Sequence, residues 1–291
     1  MTLEHQIIVA VGLDLLIGDP RWLPHPVNAM AAAAHTFRKL TRRLFGNSRT
    51  AGVVTVVCVL LLTAVPSLAL LSGTSALHPF LGDVTAILLI YTCISVRDML
   101  VHSRKVFDAL KESDLVHART SVGRIVGRDT AGMDRRQIIC ATVESIAEST
   151  VDGVAAPLFF VFIGGPAGGL LYKAVNTMDS LFGYRTPELR EFGWASAYTD
   201  DIVNWIPARL AVPFIALAAL VIGKSPSGLW QTVRRDAQKE KSPNSGYAES
   251  AFAGALRVQL GGEASYFGKP TSRPFIGTGE RSLSENTIAE A

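Results

Sequence analysis

Apolar segments alternate with polar stretches along the chain, and the longest segment has the length of a membrane span. Residues 51–72 contain no charged side chain and reach the roughly 20 residues that a helix needs to cross a bilayer. Further apolar segments lie near residues 6–18, 84–96, 153–172 and 206–223. The pattern predicts an all-α, polytopic integral membrane protein with about five apolar segments.

The polar stretches between these segments carry helical patterns of their own. Residues 97–122 alternate apolar and charged positions at helical spacing, which predicts a cytoplasmic amphipathic helix. Residues 135–151 are again helical in pattern. Glu144, Glu148 and Asp152 follow one another at intervals of four residues, along one helix face. Because like charges at that spacing repel each other, a positive group is expected opposite them.

The sequence GGPAGG at residues 164–169 interrupts the fourth apolar segment. Glycine and proline disfavour a straight helix, and two topologies follow. In one, residues 153–175 cross the membrane and residues 176–205 lie outside, which agrees with the few basic residues there. In the other, the segment is re-entrant and returns the polar side chains between Asn176 and Asn204 to the cytoplasmic side, where they meet Glu144 and Asp152. We favour the re-entrant topology.

The sequence predicts a single membrane-embedded helical domain over residues 1–270 and a polar tail over residues 271–291. Within the tail, residues 271–283 have a loop-like composition, and Ser284 is expected to cap a short helix at the end of the chain. The polar loops in which site residues are expected are 19–50, 97–152, 176–205 and 242–270.

Composition and charge agree with a membrane protein and predict its orientation. Of the 291 residues, 48% are hydrophobic and 18% are charged, against roughly 25% charged residues in soluble domains. The net charge of +3 is too small to indicate nucleic-acid binding. Lys and Arg number six over residues 19–50, nine over 97–152 and nine from 224 onward, with none over 73–83. By the positive-inside rule the three basic regions are cytoplasmic.

Residues 123–209 carry the densest set of acidic and amide side chains in the chain. Mg²⁺ prefers oxygen ligands, commonly one or two carboxylates together with substrate phosphates. Asp179, Asp200 and Asp201 are candidate ligands of this kind. Two other interpretations stay open for the same side chains, namely a structural network of ion pairs between helices and an ion pathway through the membrane.

Two short motifs are candidate binding segments. The GRDT motif places Arg128 and Asp129 beside a glycine, and a guanidinium with close backbone approach suits a phosphate. The chain has no P-loop sequence. The GDPRWLPHP motif holds Asp19, Arg21 and His25 in a proline-stiffened turn after the first apolar segment. That turn is either a rigid interfacial element or the mouth of a site.

Several long motifs occur in a fixed order and together resemble one known family. They run from near residue 13 to near residue 268 and read LLIGDPRWLPHPV, IVGRDT, VESIAESTVDGVAAPLFF, GGPAGGLLYKAVNTMDSLFGYR, FGWASAYTDDIVNWIPARL, SPNSGYAESAFAGAL and LGGEASYFG. In this order they resemble the CobD/CbiB family of cobalamin biosynthesis, the adenosylcobinamide-phosphate synthases. The resemblance implies a multi-pass protein of the inner (cytoplasmic) membrane whose main polar site faces the cytoplasm.

The resemblance also implies a reaction. A free propionate carboxylate of adenosylcobyric acid is joined by an amide bond to aminopropanol or its O-phosphate, with ATP as co-substrate and Mg²⁺ as cofactor. The implied partners are these corrinoid and amino-alcohol substrates and the lipid bilayer, without nucleic acid. A homo-oligomer, or association with other enzymes of the cobalamin pathway, is compatible with the resemblance.

Roles can be assigned to the candidate residues on this hypothesis. The catalytic carboxylates are Glu144, Asp152, Asp179, Asp200 and Asp201, of which the last three bind Mg²⁺. The residues expected to bind phosphates or substrates are Asp19, Arg21, His25, Arg128, Asp129, Lys173, Asn176, Arg185, Asn204, Arg209 and Asn244.

Two other classes of protein remain open. An ion-coupled transporter also has broken helices and carboxylates within the membrane, although no internal repeat is visible in this sequence. A magnesium-dependent membrane phosphotransferase would use the cluster formed by Asp200, Asp201 and Asn204.

Overall fold

The computed structural model describes residues 1–20, 25–184, 186–224 and 226–291 and is mostly helical. In chain order the described helices are α1 (Leu3–Ile17), α2 (Pro26–Phe45), α3 (Arg49–Leu77), α4 (Pro79–Tyr91), α5 (Val96–Lys111), α6 (Leu115–Val122), α7 (Arg135–Thr150), α8 (Ala156–Phe182), α9 (Trp194–Val203), α10 (Trp205–Val221), α11 (Pro226–Asp236), α12 (Ser245–Leu256) and α13 (Glu285–Glu290). A π-helical turn, Val151–Ala155, precedes α8, and two strands, β1 (Gln259–Tyr266) and β2 (Lys269–Gly277), follow α12.

Three helical stretches of the described chain are long and apolar enough to cross a membrane: Arg49–Leu77, Pro79–Lys111 and Arg135–Phe182. The pair Trp194–Val203 and Trp205–Val221 makes a fourth if the two helices form one bent span. A helical membrane protein is therefore supported, while the predicted count of about five is not confirmed. The first apolar segment forms only the 15-residue α1, about 22 Å long, against a hydrocarbon core of about 30 Å.

Helices predicted within the polar stretch 97–152 are confirmed as α5, α6 and α7, although 97–122 forms two helices instead of one. The polar stretches 19–50 and 176–205 also contain helices, which corrects their interpretation as loops. Helix α2 lies within 19–50, and α9 lies within 176–205. Their polar residues include helix caps: the His25 imidazole accepts a hydrogen bond from the Val27 amide at the start of α2. Polar side chains at helix ends satisfy backbone groups, so low hydropathy in these stretches did not indicate a loop.

Helix α8 is broken at the glycine-rich motif, as predicted. Gly164 and Gly165 have non-helical backbone angles, and Gly165 has a left-handed φ of 61°. The Phe160 and Tyr172 rings stack with centroids 5.4 Å apart, whereas residues this far apart on a straight helix are separated by about 18 Å. The chain therefore turns back on itself at the break, and α8 consists of two arms rather than one straight helix.

The return of the chain at the break agrees with the favoured topology, which stays a prediction. The arm from residue 153 to the break is about 16 Å long, roughly half of the hydrocarbon core, and α7 precedes it in the same helical stretch. The Asn176 amide on the returning arm donates a hydrogen bond to Asp152 Oδ2 over 3.1 Å. Asp152 and Asn176 thus lie together, as the re-entrant topology requires. That Glu144 joins them on the cytoplasmic side stays a prediction.

The close packing of the two arms gives a first testable prediction. A Cβ atom on Gly168 would lie 2.3 Å from the Phe160 carbonyl oxygen, whereas one on Gly164 would meet no atom within 4 Å. We expect Gly168→Ala to lower the free energy of unfolding in detergent by about 1–3 kcal/mol, because the arms must move apart. Gly164→Ala is the matched control and is expected to change it by less than about 0.5 kcal/mol. Equal effects of the two substitutions would contradict the hairpin arrangement.

The C-terminal region contains a β-hairpin, so the all-α prediction is wrong there. Strands β1 and β2 pair in antiparallel register, with Tyr266 opposite Lys269. Phe267 and Gly268 form the turn with positive φ angles of 53° and 73°, as in a two-residue type I′ turn. The predicted loop over 271–283 is likewise corrected by β2, but the short helix after Ser284 is confirmed as α13. The glycines and prolines of β1 and β2 gave the hairpin the composition of a loop.

The described chain divides into two compact units. Unit 1 comprises Met1–Arg97 and Asp152–Asn204, and unit 2 comprises Asp98–Val151 and Trp205–Ala291. In unit 1, apolar side chains of α2, α3, α8 and α9 form a core. In unit 2, α12 is buried along its length and packs against α7, α10 and α11. Each unit holds a cluster of buried polar side chains. The prediction of one domain over residues 1–270 stays a prediction.

Candidate functional sites

The first polar cluster lies in unit 1 and is called here the aspartate cluster. Its members are Asp152, Tyr172, Lys173, Asn176, Asp200 and Asn204. The Tyr172 hydroxyl lies 3.2 Å from Asp152 Oδ1 and 3.0 Å from Asn204 Oδ1, and it donates its single hydrogen to one of them at a time. The Asn204 amide donates to Asp200 Oδ2 over 3.0 Å. Five of the residues predicted from sequence are thus brought together.

Local helical structure explains how the aspartate cluster forms. Asp152 lies in the π-helical turn before α8, a distortion that is frequent at functional sites. Tyr172 and Asn176 are one turn apart on the returning arm of α8, and Asp200 and Asn204 are one turn apart at the end of α9. Each helix therefore presents two polar side chains to the same point.

Negative charge is in excess within the aspartate cluster. Asp200 lies near Asp152, Asp179 and Asp201, and the positive member of the cluster is Lys173, whose Nζ atom is 3.5 Å from the Asp152 carbonyl oxygen. Asp200 Oδ1 is buried and has no hydrogen-bond partner among the described residues. A buried carboxylate oxygen without a donor is costly, so the site favours a cation or a proton donor at this atom.

A magnesium ion fits this site only with help from a substrate. In the described part of the chain, no group of three His, Cys, Asp or Glu side chains is close enough to hold a metal ion. Mg²⁺ commonly binds one or two carboxylates and completes its shell with water and phosphate oxygens. The donor set around Asp200 matches that arrangement, and the assignment of Asp179, Asp200 and Asp201 to Mg²⁺ stays a prediction.

The N-terminal candidate residues are described in part. Arg21 lies outside the described residues, and so does Arg185 of the 176–205 stretch. Asp19 Oδ1 and His25 Nε2 are 3.7 Å apart, and the other ring nitrogen of His25 caps α2. These contacts agree with a rigid turn, and a role of Asp19 or His25 in binding stays a prediction.

The second polar cluster lies in unit 2 and is called here the arginine–glutamate cluster. Its members are Arg128, Glu144, Glu240, Glu249 and Arg273. Glu144 Oε2 accepts hydrogen bonds from both guanidinium groups, and its distance to Arg273 Nη1 is 2.5 Å. Arg273 also pairs with Glu240 and Glu249, each at 2.9 Å. The positive group expected opposite Glu144 is therefore confirmed, and it comprises two arginines.

Sequence analysis missed three members of the arginine–glutamate cluster: Glu240, Glu249 and Arg273. Arg273 lies on β2, in the region interpreted as a loop. Glu249 lies in the SPNSGYAES motif on α12 and is buried. A glutamate that interrupts the otherwise small and apolar face of this helix was the available signal, because a buried acid needs a basic partner elsewhere.

Burial sets the charge states within the arginine–glutamate cluster. Burial raises the pKa of Glu249 to about 8; Arg273 opposes this shift, and Glu144 and Glu240 add to it. Burial acts to lower the pKa of Arg273, but its carboxylate neighbours outweigh that effect and raise it. Both arginines thus stay charged, and the three glutamates share two positive charges. Glu249 is the member that holds a proton most readily.

The raised pKa of Glu249 predicts a pH dependence of stability. A carboxyl group whose pKa is higher in the folded state stabilises the fold fully below its unfolded pKa, near pH 4.5, and this contribution is lost as the pH rises toward about 8. Glu249→Gln mimics the protonated form at every pH. We therefore measure the unfolding midpoint of both proteins in detergent. The difference, variant minus wild type, is expected to increase as the pH is raised from 5 to 8. The exposed Glu112→Gln serves as the control, and a constant difference would contradict the assignment.

The GRDT segment is attached to the β-hairpin within unit 2. The Asp129 carboxylate accepts hydrogen bonds from the Ser265 hydroxyl over 2.6 Å and from the Gly268 amide over 2.8 Å. The Asp129 amide donates to the Ser265 carbonyl oxygen over 2.8 Å. Asp129 therefore holds the segment in place, whereas its predicted role in binding stays untested.

Arg209 is held between two aromatic rings. Its guanidinium carbon lies 4.2 Å from the centroid of Trp205 and 4.2 Å from that of Tyr247. Its Nη1 atom donates to the Asn244 side-chain oxygen over 3.3 Å. Stacking and hydrogen bonding orient a guanidinium strongly, so Arg209 is held in a fixed position next to Asn244. A role of these two residues in binding stays a prediction.

Fold and sites together define a class: a helical membrane protein that buries carboxylates beside amide and guanidinium groups. A family model described as "CobD/Cbib protein" matches residues 7–291. The chain belongs to the CobD/Cbib family.

Several curated relatives are similar over nearly the whole chain, and each carries the name "Cobalamin biosynthesis protein CobD". The relative from Geobacter metallireducens is 47% identical over 93% of this chain and 85% of its own length. The relatives from Leptospira interrogans and Clostridium perfringens are each 40% identical, over 93% and 96% of this chain and 86% and 89% of their own lengths. No solved structure matches.

Proposed function

We propose that this protein acts in cobalamin biosynthesis as an ATP-dependent ligase that joins adenosylcobyric acid to aminopropanol or aminopropanol O-phosphate. Membership of the CobD/Cbib family and the names of its relatives support the pathway. The observation that carries the chemistry is the aspartate cluster, where Asp200 keeps a buried oxygen without a hydrogen-bond donor among the described residues.

The substrate carboxylate is a poor electrophile, so the reaction must activate it before the amine can attack. In the proposed sequence, an oxygen of the substrate carboxylate attacks the terminal phosphorus of ATP, and ADP leaves. The amine nitrogen then attacks the carbonyl carbon of the acyl phosphate, phosphate leaves and the nitrogen loses a proton. Such steps need groups that balance phosphate charge and a base that accepts the proton.

The aspartate cluster supplies a base and a hydrogen-bonding frame for these steps. We assign the acceptance of the amine proton to Asp200, with Asp152 as the second carboxylate of the pair. Tyr172, Asn176 and Asn204 hold the two carboxylates in place through their hydrogen bonds. Lys173 adds a positive charge for the substrate carboxylate or the phosphate.

Magnesium would accompany the nucleotide and neutralise the charge that develops on the transferred phosphoryl group. Asp179 and Asp201 are its proposed protein ligands, beside Asp200 as the base, and phosphate oxygens would complete the shell. The proposed location is the inner (cytoplasmic) membrane with the site open to the cytoplasm, where ATP is present. The nine basic residues of 97–152 and the returning arms of α8 support this orientation, whereas the few basic residues of 176–205 count against it.

The proposal is tested with purified protein in detergent. The protein is incubated with ATP, Mg²⁺, adenosylcobyric acid and either aminopropanol or its O-phosphate, and the amide product is sought by mass spectrometry. We expect product with at least one of the two amines and only when ATP is present. Folded protein that yields no amide with either amine would overturn the proposed function.

A further inference from the structure

A groove of about 330 Å³ lies in unit 1 along the second half of α2, and basic side chains line it. The lining residues are His35, Arg38, Lys39, Arg42 and Arg43. Among the described residues, no carboxylate belongs to this lining. The volume lies within the range of small-molecule sites, roughly 300–1,000 Å³, so the groove suits a small anionic group.

Two of the four Lys and Arg side chains of the groove are paired within unit 1. Arg38 and Arg42 both contact Glu188 Oε1, over 2.6 and 3.3 Å. Arg38 also lies over the Phe182 ring, 5.5 Å from its centroid. The single charge of Glu188 faces two guanidinium groups, and its side chain is 67% exposed. These contacts hold the two arginines in place and leave positive charge in excess.

Lys39 and Arg43 carry the positive charge that has no counterpart in the groove. Both are exposed, and neither forms an ion pair with a residue that the structure describes. They are one helical turn apart, so they lie on the same face of α2, where like charges repel each other and destabilise the helix. An anion bound between them would remove this repulsion and accept charge-assisted hydrogen bonds.

An exposed apolar stripe runs beside the basic one. Leu40 and Leu44 follow Lys39 and Arg43 by one position each, are again one turn apart, and are 50% and 67% exposed. A helix that exposes a basic stripe next to an apolar one is typical of the membrane interface, where long basic side chains extend toward the headgroups. The arrangement favours a lipid over a soluble anion, because a lipid carries both a charged group and hydrocarbon chains.

The position of α2 beside a candidate membrane span also supports a lipid. The Thr41 and Thr55 hydroxyl groups are buried and hydrogen-bonded over 2.8 Å, so the end of α2 packs against the first turns of α3. Helix α3 begins at Arg49, and its 29 residues measure about 43 Å against a hydrocarbon core of about 30 Å, so it extends beyond the core. The basic residues of α2 indicate that the first turns of α3 lie among the cytoplasmic headgroups.

We propose that this face of α2 binds an anionic phospholipid of the cytoplasmic leaflet, with the headgroup phosphate on Lys39 and Arg43 and the acyl chains along Leu40 and Leu44. The inference is independent of the proposed ligase reaction. It gives the basic residues of α2 a ligand, beyond their effect on the orientation of the chain. The bound lipid would fix the depth of α2 and α3 in the bilayer, and with it the depth of the core that these helices share with α8 and α9.

Binding is measured on the full-length protein in detergent by native mass spectrometry, with phosphatidylglycerol and with phosphatidylcholine of the same acyl chains. Both lipids contain a phosphate, but only phosphatidylglycerol has a net negative charge. We expect the wild type to bind phosphatidylglycerol about tenfold or more tightly than phosphatidylcholine.

The variants test whether the basic stripe carries this preference. Lys39→Gln with Arg43→Gln is expected to weaken phosphatidylglycerol binding about tenfold or more and to leave phosphatidylcholine binding unchanged. Lys39→Arg with Arg43→Lys keeps both charges and is expected to retain binding. Arg234→Gln with Lys269→Gln, at two exposed positions of unit 2, removes the same charge and is the matched control. The unfolding midpoint is measured alongside and is expected to stay at the wild-type value, because the altered side chains are exposed.

Four results would overturn the proposal. The first is equal affinity of the wild type for the two lipids, and the second is unchanged phosphatidylglycerol binding after Lys39→Gln with Arg43→Gln. The third is an equal loss of binding in the control variant, which would show an effect of net charge alone. The fourth is displacement of the lipid by millimolar inorganic phosphate, which would identify the groove as a site for a soluble anion.

Discussion

Replacing Asp200 with asparagine is expected to reduce the rate of amide formation by a factor of about 100 or more. The substitution keeps the size of the side chain and the hydrogen bond from Asn204, but it removes the proposed base and its negative charge. The folded protein is expected to tolerate it, because Asp200 is buried near three other carboxylates and its Oδ1 atom has no hydrogen-bond partner among the described residues. The rate is measured under saturating substrates, alongside the unfolding midpoint.

Asp98→Asn is the matched control, since Asp98 is half-exposed and pairs only weakly with His102 at 3.6 Å. We expect wild-type rates from this variant. An Asp200→Asn protein with an unchanged rate would remove Asp200 from the mechanism. An inactive variant that has also lost its fold would show instead that the aspartate cluster is structural.

Glu144→Gln is expected to lower the free energy of unfolding strongly, which is the second large effect. Glu144 pairs with Arg128 and Arg273 while almost completely buried, with its side chain 3% exposed. Removing the charge leaves Arg128 without an ion-pair partner among the described residues, whereas Arg273 keeps Glu240 and Glu249. Breaking a buried pair in this way costs about 3 kcal/mol or more. The free energy of unfolding is measured by denaturant titration in detergent.

Glu112→Gln is the control here as well, because Glu112 is exposed at the end of α5, and it should change stability by less than about 0.5 kcal/mol. If Glu144→Gln were equally harmless, the arginine–glutamate cluster would not stabilise unit 2. Full stability combined with lost amide formation would instead move Glu144 to the catalytic residues, as first predicted from the sequence.

Much of the architecture follows from local signals in the sequence. The apolar segment at 51–72 became α3 because it is long and uncharged, and the GGPAGG motif marked the break in α8 because its glycines permit non-helical angles. The spacing of Asp200 and Asn204 placed both on one face of a helix. These features depend on neighbours in the chain, which is why pattern and composition indicate them.

The rest depends on contacts between distant segments. Arg273 reaches Glu144 across 129 residues of sequence, and no local pattern indicates such a pair. The β-hairpin was missed since its strands contain glycine and proline, and its pairing is fixed by the turn at Phe267 and Gly268 and by burial of alternate residues. The aspartate cluster itself could be predicted only as a set of candidates, because its geometry arises from the return of α8.

The ligase reaction is tested most directly by tracing an oxygen atom. Adenosylcobyric acid labelled with ¹⁸O in the reacting carboxylate is converted with unlabelled ATP and the amino-alcohol substrate, and the released phosphate is analysed by mass spectrometry. Activation of the carboxylate by phosphoryl transfer predicts one ¹⁸O atom in that phosphate for each amide formed. The other ¹⁸O atom stays in the amide carbonyl. Amide formation without any ¹⁸O in the released phosphate would contradict the proposed mechanism.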